Sequence, residues 1–148
     1  MSRFGGIGVS EHPTCIVLVM CDRIILDQQT QKRSLIDIFD TVYVKQLPGA
    51  LYRMSIFVSL LRGTAEQSEV HLGLFSPSGV AVIAGTLNIT DWGQGQMDSA
   101  LSFEGVKLEE VGTYDLRVFV ADSVLAQRRL VVQMPPEPPE AEAEFPTP

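Results

Sequence analysis

From Thr14 to Gln133 short runs of Val, Ile, Leu and Phe recur between clusters of turn residues, at spacings that suit a sandwich or barrel rather than strands joined by crossover helices. No window of a dozen residues carries an apolar stripe with the 3.6-residue period of a helix. The pattern predicts strands at 14–21, 23–27, 33–40, 42–46, 54–61, 69–76, 80–90, 98–103, 113–121 and 124–133. Alternation assigns Tyr114, Leu116, Val118 and Val120 to one face of the penultimate strand, the core face, and Asp115, Arg117 and Phe119 to the other. Residues 15–21 are apolar on both faces and read as a central, covered strand.

Three turns follow from their chemistry. Ser76-Pro77-Ser78-Gly79 puts Pro where its fixed φ suits the second turn position and Gly at the fourth, so 69–76 and 80–90 form a hairpin. Asp122-Ser123 is a tight polar link between the last two runs, and the polar stretch 27–32 joins the first hairpin. The fold expected is an all-β, antiparallel β-sandwich, immunoglobulin-like or a related Greek key. Residues 1–13 read as a flexible leader with Gly5, Gly6 and Gly8, residues 14–134 as the domain, and 135–148 as a disordered Pro/Glu-rich tail that cannot bury enough apolar surface to offset its ordering entropy.

At 148 residues the chain can hold one ordinary core without metals or disulfides. Its net charge of -7 argues against nucleic acid, which is bound by clustered Lys and Arg. Part of that acidity, Glu137, Glu140, Glu142 and Glu144, lies in the tail. The apolar run from Cys15 to Cys21 is far short of the ~20 residues that cross a bilayer. Glu11, His12 and Pro13 interrupt it on one side, and Met20 is bulky where an export cleavage site wants a small residue, so the expectation is a cytoplasmic protein without membrane contact.

Two blocks carry a resemblance. Cys21-Asp22-Arg23-Ile24-Ile25 with Asp27, Thr30, Lys32 and Ser34-Leu35-Ile36-Asp37-Ile38-Phe39-Asp40 is one, and Met54-Ser55-Ile56-Phe57-Val58-Ser59-Leu60 is the other. Together they resemble an uncharacterised family of small bacterial domains of unknown function, over residues 14–133. The resemblance implies a bacterial source and no activity, cofactor or catalytic residue, and the family pattern has glycine where Gln31 and Asp37 stand. Separately, Glu110-Val111-Gly112-Thr113-Tyr114 resembles the approach to the tyrosine corner of immunoglobulin-like sandwiches, where a phenol hydroxyl ties down a crossover loop. Leu116 stands where an antibody domain has its second cysteine, and Trp92 follows a strand instead of lying on the central one.

Candidate chemistry is sparse. In one strand, Cys15 and Cys21 lie roughly 20 Å apart, against about 4.4–6.8 Å for bridged Cα atoms, and His12 adds no zinc-like spacing; both read as buried thiols. Asp22, Asp27, Asp37 and Asp40 cluster around the first hairpin, where acids could hold a cation or move a proton, but Arg23, Lys32 and Arg33 lie in the same hairpin and can neutralise them. Asp37 shares a strand face with Leu35 and Phe39. His12 sits in the leader and His71 points away from the core face, and neither adjoins a nucleophile elbow or phosphate loop. No catalytic, cofactor or metal residue is assigned. Trp92, on the glycine-flanked loop 91–96, is a candidate partner contact or a plug over the sandwich end, and Phe145 is a second contact candidate in the tail.

The leading expectation is a non-catalytic module for protein binding or assembly. Its rivals are a cation-dependent hydrolase or small-ligand-binding protein using the first-hairpin aspartates, and a structural subunit of a bacterial or phage-like assembly. Gln127, Arg128 and Arg129 read as charge protection of an edge strand, whereas 42–46 and 54–61 carry little charge, and if either is an edge it should pair with its counterpart in a second copy, a homodimer that Val58→Lys would break.

Overall fold

Apolar residues repeating with a period of two are buried on one side of a sheet only if a second layer covers that side. The computed structural model describes residues 11–64, 69–121 and 123–136, and in it two such layers face each other. The strands are β1 (Thr14–Leu26), β2 (Arg33–Ile38), β3 (Thr41–Tyr43), β4 (Gly49–Leu61), β5 (Glu69–Phe75), β6 (Ala81–Asn88), β7 (Gln96–Leu108), β8 (Gly112–Val120) and β9 (Ser123–Gln133). One sheet has the order β2-β1-β4-β7 and the other β3-β9-β8-β5-β6. All pairings are antiparallel except β3 with β9. This order puts β1, β4 and β7 on one side and β9, β8, β5 and β6 on the other, the arrangement of strands A, B and E against G, F, C and C′ in an immunoglobulin-like sandwich.

The core is built by alternation. Met54, Ile56, Val58 and Leu60 of β4 meet Val70, Leu72 and Leu74 of β5 and Tyr114, Leu116, Val118 and Val120 of β8. No disulfide crosses it; Leu116, fully buried, fills the cysteine position with hydrocarbon. Each of the three expected hairpins forms: β1 with β2, β5 with β6, β8 with β9. In the β5–β6 turn the Gly79 amide donates to the Ser76 carbonyl at 2.8 Å, and Gly79 adopts φ +89°, which a side chain would strain. Asp122 lies outside the described residues.

The differences from expectation are informative. Runs 14–21 and 23–27 are one strand, because the polar pair Asp22-Arg23 sits within a continuous β1. Residues 98–103 are only the middle of β7, and β4 begins at Gly49, directly after Pro48. The segment 54–61 is not an edge: it lies between β1 and β7, with Val58 fully buried, so Val58→Lys would place a charge in the core and report on folding. Segment 42–46 shrinks to a three-residue edge strand. Arg128 does not guard an edge by pointing outward. It faces the same side as Leu116 and its Nη1 donates to the Leu18 carbonyl of the other sheet at 3.3 Å. At the N-terminal end, Pro13 is buried and His12 Nε2 lies 3.3 Å from Ser123 Oγ, so these last leader residues are packed against the domain.

The first hairpin folds back. Arg33 faces Leu26 in the ladder, yet its guanidinium carbon lies 5.7 Å from the centre of the Phe57 ring, and Phe57 is opposite Val19. Seven residues of straight strand would separate Leu26 from Val19 by about 23 Å. The hairpin therefore curls over the outer face of its own sheet. The bend sits where the ladder skips from Cys21/Ile38 to Arg23/Ile36, and Asp37, unpaired in that gap, has φ +56°. Asp37 is accordingly exposed and not on a covered apolar face. At the tip Gln31 has φ +59°. Both positions thus hold a backbone that glycine adopts more readily than residues with side chains. Gln31→Gly and Asp37→Gly should each stabilise the domain by about 0.5–1 kcal/mol, left-handed strain relieved less the freedom glycine adds to the unfolded chain, read as a higher urea midpoint. A lower midpoint for both variants would contradict the bend.

Candidate functional site

The loop between β7 and β8 is held by the first residues of β8. Tyr114 is fully buried, its hydroxyl donates to the Glu110 carbonyl at 2.7 Å, and the Glu110 amide donates to the Tyr114 hydroxyl oxygen at 3.4 Å. This is the corner its sequence context implied. Burial, above all, pushes the phenol pKa up, so the group stays a neutral donor. Beside it lies a hollow of about 220 Å³ walled by Ser76, Ser78, Val80, Val82, Lys107 and Glu110 among others. Its polar groups are already engaged: Ser78 Oγ donates to the Glu110 carboxylate at 2.6 Å and lies 3.1 Å from Ser76 Oγ.

The first-hairpin aspartates do not converge. Asp27 Oδ1 accepts the Gln29 and Thr30 amides at 2.9 and 3.1 Å and so shapes the loop. Asp22 lies 4.0 Å from Arg53 of β4, and Asp40 Oδ1 accepts from Thr41 Oγ1 at 3.3 Å. Arg33 turns away from these acids to Asp98 of β7, 3.9 Å from its carboxylate. Among the described residues no group of three or more His, Cys, Asp or Glu side chains could hold a metal ion.

Under the folded-back hairpin the outer face of the four-stranded sheet is partly dry and carries a polar ladder that periodicity did not reveal. Ser55 and Ser59 of β4 are buried there. Ser55 Oγ donates to the Asp22 carbonyl at 3.4 Å and lies 3.0 Å from Ser102 Oγ. Ser59 Oγ donates to Asp98 at 2.5 Å, and Gln96 Nε2 reaches Asp98 at 3.3 Å. The Ser59 bond foremost, with Gln96 and the Arg33 charge, holds the Asp98 carboxyl below its ordinary value against a partial burial that opposes it. Cys21 is buried in the same region and Cys15 is half-buried; burial raises both thiol pKa values, the reverse of what a thiolate nucleophile needs.

On the outer face of the five-stranded sheet, His71 faces Phe119 with ring centres 5.6 Å apart, and its Nδ1 lies 3.1 Å from Thr86 Oγ1. Arg117 stacks over Phe75 at 5.2 Å and meets Asp115 at 3.5 Å. His71 has no carboxylate or nucleophile among its described hydrogen-bond partners, in keeping with a packing role. Trp92, on the link from β6 to β7, is buried as part of the hydrophobic cluster. Phe145 lies outside the described residues.

What remains is the rims of the two sheets. Along one side the chain itself sews the sheets together: the Phe39 amide donates to Met20 O at 3.1 Å, Val131 N to Asp40 O at 2.8 Å and Val44 N to Gln133 O at 2.9 Å, with Arg128 bridging to Leu18. The opposite side carries β6 and β7, each the last strand of its sheet. β7 bears Asp98, Glu104 and Lys107, and Gly105 breaks its regular backbone with φ +62°. β6, Ala81–Asn88, has no charged residue and no proline, and among the described residues nothing pairs with its free side. Composition alone points to 42–46 or 54–61 as the bare edge, because an edge is a property of strand order and not of any one strand.

Two measurements check this geometry. Tyr114→Phe should lower stability by about 0.5–1.5 kcal/mol through the lost corner bond, and Tyr114→Ala by about 3–5 kcal/mol through the cavity; a wild-type midpoint for the Phe variant would reduce Tyr114 to a core aromatic. A carboxyl held below its unfolded value stabilises fully above that value, near pH 4, and loses the contribution as pH falls through the folded one. The stability gap between wild type and Asp98→Asn should therefore be constant at neutral pH and close below about pH 4, and a gap that persists to about pH 2 would contradict the Ser59–Asp98–Arg33 arrangement.

Comparison with known proteins adds a family and no activity. None of the curated proteins matches the sequence. Among solved structures, an immunoglobulin-like protein from Pseudomonas aeruginosa is similar at 15% identity and TM-score 0.45, over 84% of this chain and 99% of that one. An alkylpurine DNA glycosylase from Pseudomonas fluorescens is similar at 12% identity and TM-score 0.45, over 84% of this chain and only 31% of the other. A β-glucuronidase from Bifidobacterium dentium shows 9% identity and TM-score 0.37, over 83% of this chain and 17% of its own. Residues 16–133 match the model of the Family of unknown function (DUF6941), and with most of its length inside that match the chain belongs to this family.

Proposed function

We propose that this chain is a non-catalytic module that binds protein or assembles with it, acting in the cytosol of a bacterium. The observation that carries the reading is the rim at β6: an eight-residue strand with an open ladder and no charge, beside a guarded β7. Natural sheets blunt their edges with charge, proline, bulges or short strands; β6 has no charge or proline, and its one bulge, at Val82, lies near its start, which leaves 83–88 as a template for another chain. The free thiols suit a reducing compartment.

The test uses the full chain in a bacterial host that carries it. A photo-reactive residue at Ala84 or Thr86 should crosslink to protein, a second copy or another partner, while one at Gln28 on the first hairpin tip should not. Equal capture at both places, or none at Ala84 and Thr86, would refute the proposal.

A further inference from the structure

Resting on that reading, we infer that β6 pairs with β6 of a second copy of the chain, antiparallel and about a two-fold axis at Gly85. Charge is the first argument. The protein carries -7 overall, part of it in the tail, yet from Ser76 to Thr90 there is no charged residue, so β6, in the middle of that run, brings no charge of its own against a second copy. The other edges are unsuited: β3 has three residues, β2 has Arg33 and Asp37 with a left-handed bend, and β7 has two acids within its first nine residues.

Register is the second argument. A two-fold axis perpendicular to the sheet keeps each copy's core face on the same side, so residues that oppose each other must share a face. With the axis at Gly85, Ile83 lies opposite Leu87 of the second copy and Leu87 opposite its Ile83, two apolar pairs on the core side. Ala84 then opposes Thr86 of the second copy on the outer side, and the regular run ends at Ile83, because Val82 lies in a bulge and packs against the core. An axis at Ala84 would instead set Ile83 against glycine. A Cβ at Gly85 would lie 3.6 Å from Leu101 and Phe103 of β7, which places β7 side chains beneath this point while the lateral ladder stays bare. An edge-to-edge pairing of two short strands is a small interface, of the class that is weak and reversible, so the dimer dissociates on dilution.

Sedimentation of the full chain at tens of micromolar should show a dimer that dissociates on dilution. The double variant Ala84→Lys with Thr86→Lys sets like charges opposite each other across the two-fold and should be monomeric, whereas Ala84→Lys with Thr86→Glu sets opposite charges there and should dimerise. Both positions are exposed, and equal urea midpoints for the two variants at low concentration show that folding is not what separates them. A wild-type monomer, or a dimer that both variants retain, overturns the inference. If the Ala84 crosslink in cells nevertheless joins a protein of different mass, protein binding stands and only self-pairing falls.

Discussion

Two sheets can share one apolar layer only by leaving polar backbone at every rim, and how each rim is closed governs the rest of this molecule. The interior is conventional: β4 and β8 bury every second residue, and Leu116 fills with hydrocarbon the place of a disulfide sulfur. The side where β1 and β9 approach is closed by the chain crossing from β2 to β3 and by Arg128, which donates a hydrogen bond to a carbonyl of the opposite sheet. A charge facing inward at a sheet rim also discourages intruding strands. On the side of β6 and β7 the chain crosses once, through 89–95, and no strand is paired with the free side of β6 among the described residues.

The folded-back hairpin solves a related problem. β1 is apolar on both faces, so its outer side needs cover as much as its inner one. By bending at Asp37 the hairpin lays Arg33 over Phe57, on the face that also carries Val17, Val19 and Cys21. That face then requires partners for its hydroxyls, which the Ser55–Ser102 and Ser59–Asp98 contacts provide. Left-handed backbone at residues with side chains costs of order 1 kcal/mol, tolerable where it lets such a surface be covered.

Much of this was legible in the sequence because it depends on neighbours in the chain. The Ser-Pro-Ser-Gly turn, the alternation of Tyr114 to Val120 and the acid-x-Gly-x-Tyr approach to the corner all speak through local spacing, and each appears where spacing put it. What depends on strand order was not legible. Val58 lies in a segment whose composition suits an edge, but only the pairing of β4 with both β1 and β7 shows it to be central. Arg128 has the composition of a guard and the position of a tie. The candidate site suffers the same blindness: β6 looks like any apolar strand until the sheet is seen to end there.

Amide hydrogen exchange along β6, followed from low to high protein concentration, tests the open rim most directly. Those amides of residues 81–88 that point away from β5 should exchange rapidly in dilute protein and become protected as concentration rises, while the β4 and β8 amides remain protected throughout. Outward β6 amides that are already protected in dilute protein, or that stay unprotected at high concentration while the protein self-associates, would contradict the account.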